Sequence, residues 1–165
     1  MIDAAESWNG SGGAQPAILF VCLGNICRSP LAELAMRLEV ARHGLEWTID
    51  SAGTGDWHVG HPPDPRARAE ARRRGHDIDA YRARQVVVDD FARFSHVIAL
   101  DRSNLADLRA LAPAGATAQL SLLLDHVPGR EGEGVFDPYH GDAAAFAETW
   151  DDVTAGAAAL MRALT

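Results

Sequence analysis

Ala17–Cys22 forms an unbroken apolar run, AILFVC, and reads as a short buried strand. Leu31, Leu34, Ala35 and Leu38 follow at helical spacing. The helix they predict opens at Ser29-Pro30, where the serine can cap and the proline supplies the fixed φ of a first turn, and it stops near Gly44. Trp47–Asp50 is expected as a second strand, after which SAGTGDWHVG reads as loop. Asp64-Pro65 announces another helix that ends at Gly75, and Val86–Val88 reads as an extended segment or the approach to a helix. His96–Leu100 is apolar, partly β-branched and bounded by Asp101, which makes it the third predicted strand. Leu105, Leu108 and Leu111 give a helix halted by Pro113, and Gln119–Leu124 supplies a fourth strand. The glycine-rich segment Pro128–Gly134 reads as a loop leading to Asp137-Pro138. Phe146, Thr149, Trp150, Val153, Ala157, Leu160 and Leu164 then fall on one stripe of a final amphipathic helix.

Strands separated by helices imply an α/β fold with a parallel sheet covered on both faces. In such folds a ligand sits at the carboxyl ends of the strands, near a switch point, and the loop after the first strand lies there. That loop, VCLGNICRSP, holds Cys22 at its start and Arg28 at its end. A strand-to-helix turn of this kind aims successive backbone N–H groups into one concavity at a helix N-terminus, which suits phosphate, sulfate or arsenate. The guanidinium fork of Arg28 can hold two oxygens of such an oxyanion. No G-x-G-x-x-G follows the first strand, no G-x-x-x-x-G-K-[ST] occurs, and paired Cys/His spacings for zinc are missing, so no cofactor or metal is expected.

Composition narrows the setting. At 165 residues and 47% hydrophobic, the chain suits one domain, expected at 17–165, after a flexible tail at 1–16. The sequence shows neither a spanning apolar run nor a signal-peptide pattern, and both cysteines, Cys22 and Cys27, fall inside one loop rather than in a disulfide framework. A cytoplasmic, reducing location with no membrane partner is expected. The net charge of −8 argues against a nucleic-acid surface. Arg66, Arg68, Arg72, Arg73, Arg74, Arg82 and Arg84 form a basic segment, read as a solvated face balanced by acidic neighbours.

A thiolate beneath a phosphoryl group held by Arg28 and the loop amides is aligned to attack phosphorus, and thiols at helix N-termini beside arginine are the ones that ionise readily. The leaving oxygen then needs a proton, for which a carboxyl on another loop is the economical donor. Asp137 is the candidate, between the glycine-rich segment and Pro138, with Tyr139 adjacent to stack on an aryl group. Cys27 invites a further expectation: a sulfenic acid formed on Cys22 by an oxidant could be trapped by Cys27 as a reversible disulfide. The alternative for Cys27 is a small packing residue.

Taken in order, CLGNICRSPLAE, DSAG, DWHVG, PDPRA, RARQ and DPY resemble the low-molecular-weight protein tyrosine phosphatase family, from Ala17 onward. The resemblance implies a flavodoxin-like fold with a central four-stranded parallel sheet, and metal-free hydrolysis of phosphotyrosine through a cysteinyl-phosphate. It implies that Cys22 is the nucleophile, that Leu23, Gly24, Asn25, Ile26, Cys27 and Arg28 cradle the phosphate, and that Asp137 is general acid and then base. Asn25 would hold the loop in a strained shape, oriented by Ser51, while Ser29 would hydrogen-bond the thiolate. Trp57 and Tyr139 would wall the substrate ring, although Trp57 also reads as a core residue. Expected partners are tyrosine-phosphorylated proteins, a tyrosine kinase among them, with inorganic phosphate as product.

Two positions depart from the family pattern. Tyr81 stands before RARQ where bacterial relatives commonly carry histidine behind the loop, and His140 replaces the second tyrosine of DPYY. A thiol-dependent arsenate reductase of the same fold is a poorer reading, because it needs further cysteines to pass a disulfide along. A non-catalytic phosphotyrosine-binding module is a reading from a different class, made unnecessary by Cys22, Arg28 and Asp137 together.

Overall fold

In the computed structural model, which describes residues 15–165, four parallel strands lie in the order β2-β1-β3-β4. They are β1 (Ala17–Cys22), β2 (Thr48–Gly53), β3 (His96–Ala99) and β4 (Gln119–Leu122). The helices are α1 (Arg28–Arg42), α2 (Pro65–Arg73), the short α3 (Asp90–Arg93), α4 (Arg102–Leu111) and α5 (Ala143–Leu164). Most of the expected tail, 1–16, lies outside the described residues; its last residue, Pro16, is buried and accepts the Thr48 N–H.

Because side chains alternate across a strand, β1 feeds two cores. Ile18, Phe20 and Cys22 point to the side covered by α1 and α5, together with Leu31, Phe146 and Leu160. Leu19 and Val21 point to the other side, with Phe91, Leu105 and Leu108. The result is the three-layer α/β sandwich expected of the sequence. After β1 the chain crosses to β2 on one side of it, and β3 later pairs on the other, so the Cys22–Arg28 loop sits at the switch point.

Three boundaries differ from the sequence reading. β2 runs on through Ser51-Ala52-Gly53, pairing with Phe20–Cys22, where a loop was expected. Gly53 belongs there because a Cβ would lie 2.7 Å from the Leu23 carbonyl oxygen. β4 is shorter than Gln119–Leu124: the Asp125 carboxylate accepts from the N–H groups of Leu122 and Gly132 and draws 123–126 into a 3-10 turn. Leu123 and Leu124 stay buried, so their apolar character mimics a strand. Finally, Ser29 is no helix cap. α1 begins at Arg28 after Cys27 with no side-chain cap, and the Ser29 hydroxyl is used elsewhere.

The other helix signals hold. Asp64 caps α2 through Arg66 N–H, with Pro65 in the first turn, and Asp101 caps α4 through Asn104 N–H. The basic segment is balanced as expected: Arg66 pairs with Asp64, Arg72 with Asp79, Arg73 and Arg74 with the buried Glu70, and Arg84 with Asp50 and Asp90.

Candidate active site

The loop from Cys22 to Arg28 is held from outside by its carbonyls. Those of Cys22, Leu23 and Ile26 accept the N–H groups of Thr54, Gly55 and Asp64 at 2.9 Å each. In a trans peptide the N–H opposes the carbonyl, so the amides of Leu23, Gly24 and Cys27 turn the other way, into the concavity. Asn25 has φ +58°, the left-handed region that a non-glycine residue occupies at a cost, and it is the one such residue described. Its side chain supplies the compensation. Asn25 Oδ1 accepts the Arg84 N–H at 3.0 Å, which fixes the amide so that Nδ2 donates to Ser29 Oγ at 2.8 Å and Ser51 Oγ at 3.0 Å.

Cys22 Sγ receives the Asn25 N–H at 3.3 Å and lies 3.0 Å from Ser29 Oγ. Since Ser29 Oγ already accepts from Asn25, its own proton is free to point at the sulfur. The buried Arg28 is oriented just as tightly. Its Nη1 donates to Asp101 Oδ2 at 2.7 Å and to the Val135 carbonyl at 3.1 Å, which occupies both protons of that nitrogen. Nε and Nη2 remain as the fork for an oxyanion. Burial opposes the charge on Arg28, but Cys22, Asp101 and Asp137 together hold its pKa above the ordinary arginine value.

Asp137 Oδ2 lies 3.6 Å from Arg28 Nη2, and its Oδ1 accepts the Tyr139 N–H at 3.1 Å. Cys22, Arg28 and Asp137 line one cavity of about 370 Å³, walled by Ile26, Trp57 and Tyr139. A nucleophilic sulfur, an anion-holding fork and a half-exposed carboxyl thus converge on a space of small-ligand size.

The sequence profile of the family described as low molecular weight phosphotyrosine protein phosphatase matches residues 17–165. This chain belongs to that family. The low molecular weight phosphotyrosine protein phosphatase of Schizosaccharomyces pombe is 41% identical over 136 residues, covering 81% of this chain and 86% of the relative. The low molecular weight protein-tyrosine-phosphatase of Streptomyces coelicolor is 41% identical over 152 residues, covering 89% and 92%. Among solved structures, YfkJ from Bacillus subtilis superposes with a TM-score of 0.84 at 40% identity over 91% of this chain and 94% of its own. An Entamoeba histolytica protein tyrosine phosphatase with Hepes in its active site gives 0.84 at 33% identity, covering 90% and 96%.

Of the residues that the family resemblance singled out, Asn25, Ser29, Ser51 and Tyr81 lie off this cavity's wall and the others line it. Trp57 is 68% exposed, so it is not a core residue, and its ring lies against Gly55, where a Cβ would come within 2.0 Å. Tyr139 lies under the Arg66 guanidinium at 5.8 Å and edge-on to His140 at 5.0 Å. Leu23, Gly24 and Cys27 also line the cavity, as does His140. Cys27 is buried, and burial together with Asp64 pushes its thiol pKa well up.

Behind the loop, the Asn25–Ser51 network ends on Glu33, which sequence reasoning missed. Ser51 Oγ donates to Glu33 Oε1 at 2.7 Å, and Arg37 pairs with Glu33 Oε2 at 2.9 Å. Burial pushes the Glu33 carboxyl up, while the Ser51 hydrogen bond and Arg37 pull against it. Tyr81 packs beside this pair, its phenol pushed up to about 12 by burial and by Glu33. Asp101 and His58 were missed too. An aspartate ending a strand is an ordinary cap signal, and His58 shows its place only through folding, which brings it to the cavity wall beside Gly24.

Proposed function

We propose that this chain hydrolyses phosphotyrosine in proteins, and small aryl phosphates, with Cys22 as nucleophile, Arg28 as phosphate clamp and Asp137 as proton donor. The observation that carries the assignment is the convergence of these three side chains on one cavity, with Arg28 Nη2 3.6 Å from the Asp137 carboxylate. Family membership makes the chain a protein-tyrosine phosphatase, a hydrolase of phosphoric monoesters.

In the first step the Cys22 sulfur forms a bond to phosphorus as the bond to the tyrosyl oxygen breaks, and Asp137 gives that oxygen its proton. Charge builds on the equatorial oxygens, where Arg28 and the inward amides of the loop meet it. In the second step Asp137, now a carboxylate, takes a proton from water as the water oxygen attacks phosphorus. The sulfur–phosphorus bond breaks, releasing inorganic phosphate and the thiolate. Ser29 and Asn25 stabilise the sulfur as it departs, and Asn25 with Ser51 keeps the amides converged. Trp57, Tyr139 and Ile26 select a flat aryl group.

The physiological partners on this reading are tyrosine-phosphorylated proteins, including a tyrosine kinase, encountered in the cytoplasm. Both cysteines fall inside one loop rather than in a disulfide framework, which supports a reducing setting. Among the described residues no helix is long and apolar enough to cross a membrane. Cys27 completes the reading as the thiol that traps an oxidised Cys22: peroxide oxidises Cys22 to a sulfenic acid, and Cys27 displaces water from it to form a disulfide.

Aryl phosphate turnover in the presence of a chelator tests the mechanism. Cys22→Ser should abolish it, and turnover surviving that change refutes the nucleophile. Asp137→Ala should lower kcat by about 10²–10⁴-fold with phosphotyrosine, and less with an ester whose leaving group needs no proton. Equal losses with both esters would remove its role as acid.

A further inference from the structure

Leu23 and Trp57 line the catalytic cavity on one side and a second, shallower groove of about 640 Å³ on the other. The groove continues over Gly55 and Val86 to Asp107 and Leu111, near the end of α4. Three large apolar side chains stand open along it: Leu23 at 45%, Trp57 at 68% and Leu111 at 38% exposure. Apolar groups scattered singly are normal on a surface, but a row running out from a reaction site marks a binding surface.

Part of the floor's backbone is already paired, while the Thr54 hydroxyl has no hydrogen-bond partner among the described residues. Gly55 N–H donates to the Leu23 carbonyl at 2.9 Å, and Gln85 Nε2 donates to the Thr54 carbonyl at 3.1 Å. What it offers a ligand is therefore apolar contact rather than strand pairing. The Trp57 ring lies against Gly55, a residue with no side chain to displace it. At the far end Asp107 is in no ion pair among the described residues, which leaves one uncompensated negative charge beside an apolar trough.

We propose that this groove is a docking site for the stretch of substrate protein next to its phosphotyrosine, taking a bulky apolar side chain between Trp57 and Leu111 and a lysine or arginine at Asp107. The inference rests on the phosphatase reading above. Continuity with the cavity names the occupant: a chain whose phosphotyrosine lies between Trp57 and Tyr139 must leave the cavity past its rim, and Leu23 and Trp57 form the rim on this side. The free carboxylate of Asp107 sets the preferred charge.

The test compares synthetic phosphotyrosine peptides in an alanine background with peptides carrying leucine and then arginine outward from the phosphotyrosine, on the N-terminal or the C-terminal side. One of the two placements should raise kcat/KM by roughly tenfold, the discrimination one apolar side chain gives a pocket. Leu111→Ser should remove that gain. Asp107→Lys should move the preference from arginine to glutamate, and both variants should hydrolyse a small aryl phosphate like the parent. Equal kcat/KM for all peptides, or a gain that survives in both variants, overturns the groove while normal aryl phosphate turnover keeps the phosphatase reading intact. Loss of aryl phosphate turnover in the parent protein overturns both.

Discussion

Ser29 shows how a hydroxyl's neighbours decide what it does. Its oxygen accepts a hydrogen bond from Asn25, so its own O–H points at Cys22, and that direction depends on Asn25 being locked by Arg84 N–H on one side and by Ser51 on the other. Ser51 in turn accepts from Asn25 because its own hydroxyl donates to Glu33, whose carboxyl burial pushes up while the Ser51 hydrogen bond and Arg37 pull it back. Glu33→Gln should therefore lower kcat by about an order of magnitude where the Glu33 carboxyl is ionised, the worth of one charged hydrogen bond, with the loss fading as pH falls and the parent's own carboxyl protonates. Arg37→Met should push the Glu33 carboxyl higher still, so that kcat falls most at low pH and recovers as pH rises. A uniform loss across the pH profile would reduce Arg37 to a packing residue. Tyr81→Phe keeps the packing and should change kcat less than about threefold if Glu33 completes the network, a small effect set against the order of magnitude above. Cys27→Ser should leave peroxide-inactivated enzyme less recoverable by thiol than the parent, and equal recovery would leave Cys27 a packing residue.

Elements were legible where their periodicity was strong. β1 is apolar throughout because helices cover both faces, and α5 shows its stripe because one face stays in water. The end of β2 was hidden because Ser51, Ala52 and Gly53 are small or polar, chosen for the loop packed on them rather than for the sheet. The end of β4 was overread because Leu123 is needed by α5: Gly156 is so close that a Cβ there would meet Leu123 Cγ at 2.4 Å. Gly156→Ala sets two effects against each other. Helix propensity favours alanine by about 1 kcal/mol, while overpacking costs about 1–3 kcal/mol. The contact lies below any normal separation, so net destabilisation is expected in denaturant unfolding, with kcat per folded molecule unchanged. A stabilised variant would show that Leu123 can move aside.

At the scale of the whole molecule, stability on acidification depends on groups that must stay neutral in the core. His96, at the start of β3, is buried, and burial together with His126 brings its pKa down from 6.5 to about 4. The unfolded chain then binds more protons than the folded one between those values. Its contribution is complete above pH 6.5 and is lost as pH falls toward about 4. Urea unfolding between pH 8 and 4 should show stability dropping through that window, and His96→Gln should flatten the drop. An unchanged slope in the variant would assign the effect to other groups.

The sequence by itself determined the layered α/β architecture, the position of the Cys22–Arg28 loop after the first strand and the candidacy of Cys22, Arg28 and Asp137, because periodicity and loop composition are local and survive without coordinates. It also carried the family through an ordered series of short motifs. Tertiary structure decided what distance decides. It brought Asp137 beside Arg28, turned Trp57 outward, gave Ser29 to the sulfur instead of a helix cap, and joined Glu33 to a serine on another strand. These contacts link residues far apart in the chain or depend on the direction of single hydrogen bonds, and no spacing within one segment encodes either.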